Sequence, residues 1–202
     1  MKQKLLVSAA CVMLGFSATS FAAGDAAQGQ AKSVTCAACH GVDGNSPSDQ
    51  FPKIAGQHES YILKQLKEFK SGVRSNALMS AQVAGLEEQD MENLAAYFAS
   101  QTVSEGVADE NQVELGKAVY QGGNSATNVP ACMACHSANG SGNPAAKFPA
   151  LAGQHAAYIA AQLTAFREDQ RTNDAGSMMR NVAHRMSTKE INAVSQYIAG
   201  LK

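Results

Sequence analysis

The chain has no tryptophan, and aromatic residues fill only 6% of its 202 positions. Large aromatic side chains supply much of the buried area in a small core. Rich instead in Ala, Gly and Ser, neither half of this sequence builds a large core unaided. Domains of that kind draw on a disulfide, a metal or a cofactor. Long apolar runs are also missing. The run from Leu5 to Phe16 is short of the ~20 residues a membrane-spanning helix needs, and no later stretch is long enough either. Nor is there a block of basic residues or a basic helix, which argues against nucleic acid as a partner.

What the first residues do contain is the pattern of an export signal. Lys2 and Lys4 precede the apolar run, and Ser17-Ala18-Thr19-Ser20-Phe21-Ala22 supplies a small-x-small cleavage site. Residues 1–22 are therefore expected to be removed, leaving a soluble exported chain that starts at Ala23. A retained N-terminal anchor is the alternative. About 180 residues remain, room for one ordinary domain or two small ones. Their charge is uneven. Residues 23–103 carry 6 Lys/Arg and 9 Asp/Glu, a net −3, and 104–112 add three acidic residues. Residues 113–202 carry 8 Lys/Arg and 5 Asp/Glu, a net +3.

The chain repeats itself once. Cys36-Ala37-Ala38-Cys39-His40 returns as Cys132-Met133-Ala134-Cys135-His136, and Phe51-Pro52-Lys53-Ile54-Ala55-Gly56-Gln57-His58 returns as Phe148-Pro149-Ala150-Leu151-Ala152-Gly153-Gln154-His155. Tyr61, Gln65, Leu66, Phe69, Arg74 and Asn76 then match Tyr158, Gln162, Leu163, Phe166, Arg171 and Asn173. A period near 100 residues, used twice, is a duplicated domain and not a solenoid. The expected division is 23–101 and 113–202, joined by a linker over 102–112. Apolar residues fall at helical spacing in both copies, as at Met91, Leu94, Ala95 and Phe98, and no stretch alternates like a strand. The expected fold is all-α: two tandem helical units, each reading helix, Cys-x-x-Cys-His turn, loop, helix, ligand loop, helix. Gly29 and Gly116 suit close crossings against Tyr97 and Tyr197, and Ser187 with Glu190 fits a capping box.

On one helical turn residues i, i+3 and i+4 share a face. Cys36, Cys39 and His40 thus point together, as do Cys132, Cys135 and His136. Two thiols can form thioethers with porphyrin vinyl carbons while the imidazole meets the iron, and the motif is the signature of covalent haem c attachment. Disulfides, a thioredoxin-like redox pair and a zinc site made from all four cysteines are competing readings. The first leaves each histidine without a role, the second lacks a βαβ context, and the third leaves His40 and His136 over. Haem iron bound by His needs a sixth ligand or an open position. Met79 and Met179 are candidates in repeat register, each seven residues before an apolar residue at the start of the last helix, Leu86 or Met186. Met178 remains an alternative to Met179. His58 and His155 also repeat, so bis-His ligation stands beside the methionines, although both sit where a helix starts and where His commonly makes polar contacts. The carbonyls of Pro52 and Pro149 are placed to accept the Nδ1–H of each axial histidine, with Ile54 and Leu151 packing on the haem.

These residues resemble the cytochrome c4 family, dihaem members of the class I cytochromes c. The likeness covers nearly the whole chain after the signal and rests on Cys-Ala-Ala-Cys-His-Gly-Val-Asp-Gly-Asn-Ser at 36–46, Phe-Pro-Lys-Ile-Ala-Gly-Gln at 51–57, Leu-Ala-Ala-Tyr-Phe-Ala-Ser at 94–100, Arg-Thr-Asn-Asp at 171–174 and Ser-Gln-Tyr-Ile-Ala-Gly-Leu at 195–201. The resemblance implies two covalent haem c groups with His/Met ligation and haem propionates meeting at a pseudo-twofold interface. It further implies a periplasmic carrier that takes electrons from a quinol-oxidising or dehydrogenase complex and delivers them to a haem-copper terminal oxidase. Peripheral association with the membrane is compatible with that role. A cytochrome subunit of a flavin-containing dehydrogenase and a dihaem peroxidase are the alternatives. No catalytic constellation accompanies the haem motifs, so no enzymatic activity is expected. Unequal surroundings predict unequal potentials. The basic second unit is expected to dock an acidic oxidase surface through Lys147, Arg167 and Arg171, more than the first unit does through Lys64 and Lys67.

Overall fold

A computed structural model describes residues 24–202. The segment read as an export signal lies outside the described residues, as does Ala23. Asp25 opens α1 (Ala26–Lys32): its carboxylate accepts from the N–H groups of Ala27 and Gln28, two of the donors every helix start leaves unpaired. One residue later α2 (Val34–His40) carries the first cysteine motif and stops at Gly41, whose φ of 80° disfavours other residues. α3 (Glu59–Ser71) ends at Gly72 in the left-handed conformation. α4 (Ala77–Val83) and α5 (Glu88–Ala99) complete the unit. The second unit repeats the order with α6 (Glu110–Gly122), α7 (Met133–His136), α8 (Ala156–Arg167), α9 (Met178–Ala183) and α10 (Thr188–Ala199). The only β-pairing among the described residues is two isolated bridges, Asn124 with Val129 and Asn143 with Phe148. None of these helices is long and apolar enough to cross a membrane.

Two stretches differ from the sequence reading. The methionine segments, expected as loops, are short helices. Asn76 accepts from the Met79 N–H at 3.0 Å, and the good helix formers behind it continue the turn. The end of the supposed linker is the start of α6: Asp109 accepts from the Asn111 N–H at 3.0 Å, with Glu110 in the first turn. Acidic residues that resembled a solvated linker thus sit where a helix N-terminus favours negative charge.

In each unit the first helix crosses the last at a glycine. A Cβ on Gly29 would strike the Asn93 carbonyl and lie 2.7 Å from the Tyr97 Cβ; one on Gly116 would strike the Ala193 carbonyl and lie 2.7 Å from the Tyr197 Cβ. Behind these crossings sit separate cores. The first gathers Ile62, Leu94, Ala95, Tyr97 and Phe98. The second is larger, with Val119, Tyr120, Val129, Ile159, Leu163, Met186, Ile191, Val194 and Ile198. The first core is small for a free-standing unit, the situation in which a bound cofactor supplies missing apolar area.

The two units meet through reciprocal hydrogen bonds. Gln57 accepts from the Ala150 N–H at 2.9 Å and donates to the Ala150 carbonyl at 2.9 Å. Gln154 does the same to Lys53, at 2.9 and 2.7 Å. Lys53 and Ala150 are equivalent in the repeat, as are the two glutamines, so the contact is self-complementary in the manner of a twofold axis. Arg74 reaches Tyr158 and Gln162 across the interface, and Arg171 reaches Tyr61 and Gln65.

Candidate haem-binding sites

Cys36, Cys39 and His40 ride on α2, and Cys132, Cys135 and His136 on the single turn of α7 and its N-cap. Both histidines are buried. The His40 Nδ1 lies 2.8 Å from the Pro52 carbonyl oxygen and the His136 Nδ1 lies 3.0 Å from that of Pro149. A proton on Nδ1, donated to the carbonyl, leaves the Nε2 lone pair free for a metal. Burial pushes both imidazoles below their ordinary pKa, against a smaller upward pull from the proline carbonyls. The neutral ring this favours is the ligating form. Phe51 and Phe148 flank the two rings at centroid distances of 6.5 and 6.2 Å. Ile54 and Leu151 pack, half-buried, against the first and second cores.

The thiols do not suit the competing chemistries. Burial pushes Cys36 up and Cys132 up to about 11. Redox Cys-x-x-Cys pairs work through depressed thiols. The four cysteines are not joined to one another, and among the described residues no three His, Cys, Asp or Glu side chains are gathered as a metal cage.

Of the methionines, Met79 on α4 is half-buried. Met178 is 44% exposed, whereas its neighbour Met179 packs against the second core. His58 and His155 stand at the N-caps of α3 and α8, beside the interface. His155 Nε2 lies 2.9 Å from the Ser46 carbonyl of the other unit, while His58 Nε2 is buried with no partner among the described residues.

Sequence reasoning missed the interface network. Tyr61, Gln65, Arg74 and Asn173, with Tyr158, Gln162 and Arg171, were visible only as matched positions. Polar residues kept in both copies of a helix face were the available signal. One expectation is overturned outright. Arg171, read as a docking cation, is committed to Tyr61, Gln65, Gln162 and Asn173 inside the interface. Lys64, its comparison in the first unit, is likewise tied to Glu68 and the Asn173 carbonyl.

The same network bears on the cofactor. Arg74 and Arg171 are bonded there to neutral side chains, and Lys64–Glu68 is the network's one ion pair among the described residues. Two guanidinium groups inside an interface without bonded anions suit a group that brings carboxylates of its own, as haem does. With the neutral histidines and paired thiols, the residues present fit two haem c groups.

Comparison with known proteins agrees. The profile of the Cytochrome c family matches residues 26–102 and again 113–202. Cytochrome c4 of Pseudomonas aeruginosa is 51% identical over 199 residues, 98% of either chain. The crystal structure of reduced recombinant cytochrome c4 from Pseudomonas stutzeri superposes with a TM-score of 0.87 at 49% identity, over 89% of this chain and 100% of that one. A more distant relative, the thiosulfate dehydrogenase electron acceptor of Stutzerimonas stutzeri, is 37% identical over 172 residues, 83% of this chain and 79% of its own length. Duplicated helical units, two Cys-x-x-Cys-His turns and these relatives lead to one conclusion: the chain belongs to the cytochrome c4 family of electron-transfer proteins and holds two haem c groups.

Proposed function

We propose that the chain is a periplasmic shuttle, exported by residues 1–22, that moves electrons from a quinol-oxidising or dehydrogenase complex to a haem-copper terminal oxidase and performs no substrate chemistry of its own. Residues 23–101 and, from the start of α6, 110–202 are its two haem domains. Cys36 and Cys39 hold one haem and Cys132 and Cys135 the other, with His40/Met79 and His136/Met179 as axial pairs. Bound haem supplies a one-electron iron couple. The protein's part is to fix its ligands. Pro52 and Pro149 orient the imidazoles, and the methionines offer a soft, neutral thioether that favours reduced iron over what bis-His ligation would give. The inward position of Met179 beside exposed Met178 supports that choice. The observation that carries the two-centre reading is the reciprocal interface, which holds two equivalent sites in one fixed relation.

Docking is electrostatic in this reading. Lys147, Arg185 and Lys189 are exposed on the net basic second domain and take the place of Arg171 as encounter residues for an acidic partner. Stopped-flow oxidation of the reduced protein by a purified terminal oxidase tests this. Rapid two-electron turnover should slow as salt rises, and K147E/R185E/K189E should slow it more than K32E/K67E. No oxidation by any oxidase, together with hydrogen peroxide turnover by the isolated protein, would replace the carrier with a peroxidase.

The relative that accepts electrons from a thiosulfate dehydrogenase favours a second reading, in which the upstream donor is a dehydrogenase and not a quinol-oxidising complex. Reduction by a dehydrogenase supplied with thiosulfate, at rates matching oxidase turnover, would select that donor.

A further inference from the structure

The repeat places Asn76 and Asn173 in equivalent positions ahead of the two methionines, yet they are used differently. Asn76 is exposed and only caps α4. Among the described residues, no hydrogen bond from the second domain reaches 75–83. Asn173 is buried and turns into the interface. Its Nδ2 donates to Gln65 Oε1 at 2.9 Å and to Glu68 Oε2 at 2.6 Å, its Oδ1 accepts from Arg171, and its carbonyl accepts from Lys64 Nζ at 2.9 Å. Lys64 and Glu68 are themselves paired at 2.7 Å on α3. The places equivalent to them on α8 are Ala161 and Ala165, so the second domain has no such pair to offer in return.

The clasp continues to the methionine. Asp174 follows Asn173 in an insertion the first domain lacks, and its side chain is only 4% exposed. It accepts from the Arg180 N–H at 3.0 Å and from Arg180 Nε at 2.8 Å, fixing the residue next to Met179. A run of charge-assisted bonds thus leads from α3 of the first domain to α9 of the second, with no counterpart in the other direction.

We infer that Lys64 and Glu68 are positioning residues for the second domain's axial methionine, a support given to one methionine only: the first domain braces Met179, and the second domain offers Met79 no such brace. The inference rests on Met179 as the axial ligand. Charged hydrogen bonds of this kind, removed from a shielded interface, change an equilibrium on the order of tenfold, while a site without shared partners is left nearly unaffected.

Imidazole competition for the iron provides the test, read from loss of the methionine–iron charge-transfer absorption. In M79A only the second site contributes that band, and in M179A only the first. Adding K64A/E68A should lower the imidazole concentration for half-loss about tenfold in the M79A protein and by less than about twofold in the M179A protein. The double variant should fold, because α8 forms with alanine at both places. N173A should reproduce the effect and add little to K64A/E68A, since both cut one clasp. If the double variant loses haem, E68Q should show the same asymmetry in smaller measure. Equal sensitivity in both backgrounds, or none in M79A, overturns this one-sided support of the methionine. Retention of the full wild-type band in M179A would instead remove Met179 as the ligand.

Discussion

Glu190 carries a charge where charge is costly, only 8% exposed in the first turn of α10. Its carboxylate accepts from Asn124 Nδ2 at 2.7 Å, Ser187 Oγ at 2.7 Å and the Ser187 N–H at 2.8 Å. Asn124 first, and then Ser187, hold its carboxyl below the ordinary range. A depressed folded-state pKa means that the stabilisation is complete above the unfolded value of about 4.3 and disappears as pH falls through the lower folded value. E190Q should therefore cost about 1–3 kcal/mol at neutral pH. Thermal melts of variant and parent should draw together only as pH falls below the ordinary carboxylate value and through the lowered folded-state one. The methionines give the second residue-level test. M79A or M179A should each remove half of the charge-transfer absorption and lower one potential, and M178A should do neither; the reverse for the 178/179 pair would reassign the ligand. The Ser187–Glu190 box was legible because its spacing is local. The Asn124 bond was not, since it joins residues 66 apart that only the fold brings together.

Among the helices, the glycine crossings were readable and the methionine segments were not. Gly29 and Gly116 occupy the same place in two first helices, and repetition of a residue poorly suited to a helix interior points to a steric need. Ala at either position should destabilise by about 1–3 kcal/mol, because overpacking against a carbonyl outweighs a propensity gain of about 1 kcal/mol. A fall in the melting temperature of G29A and G116A checks this; a rise would mean the crossings can open without loss. The segments around Met79 and Met179 are too short for periodicity to separate helix from loop; the Asn76 cap fixes the first turn of one, and the bond from the Arg180 N–H to Asp174 that of the other. Another difference was equally hidden. Tyr97 on α5 bonds the Val42 carbonyl at 2.8 Å, whereas Tyr120 on α6 bonds the Ser137 carbonyl at 2.6 Å. The two units thus anchor the turn after their Cys-x-x-Cys-His histidine from opposite ends of the helix order.

At the scale of the molecule, duplication was plain from the sequence, but the use of matched polar residues as an interface was not. A glutamine kept in both copies reads equally well as surface. Its meaning depends on the partner backbone at Lys53 or Ala150, 101 and 93 residues away. Removing both clasps in Q57A/Q154A leaves paired backbone groups without partners, at about 1–3 kcal/mol for each site. The single unfolding transition expected of the parent should then split into two, the smaller first core melting at the lower temperature. Unchanged single-transition melting would mean that the Arg74, Arg171 and Asn173 contacts suffice to hold the domains together. The two-centre carrier itself is tested most directly by a spectroelectrochemical titration of the purified protein, counted against haem that survives acid–acetone extraction. Two retained haems and two one-electron waves of equal amplitude, at different potentials, are the result expected. One electron per chain, or haem lost on extraction, would contradict it.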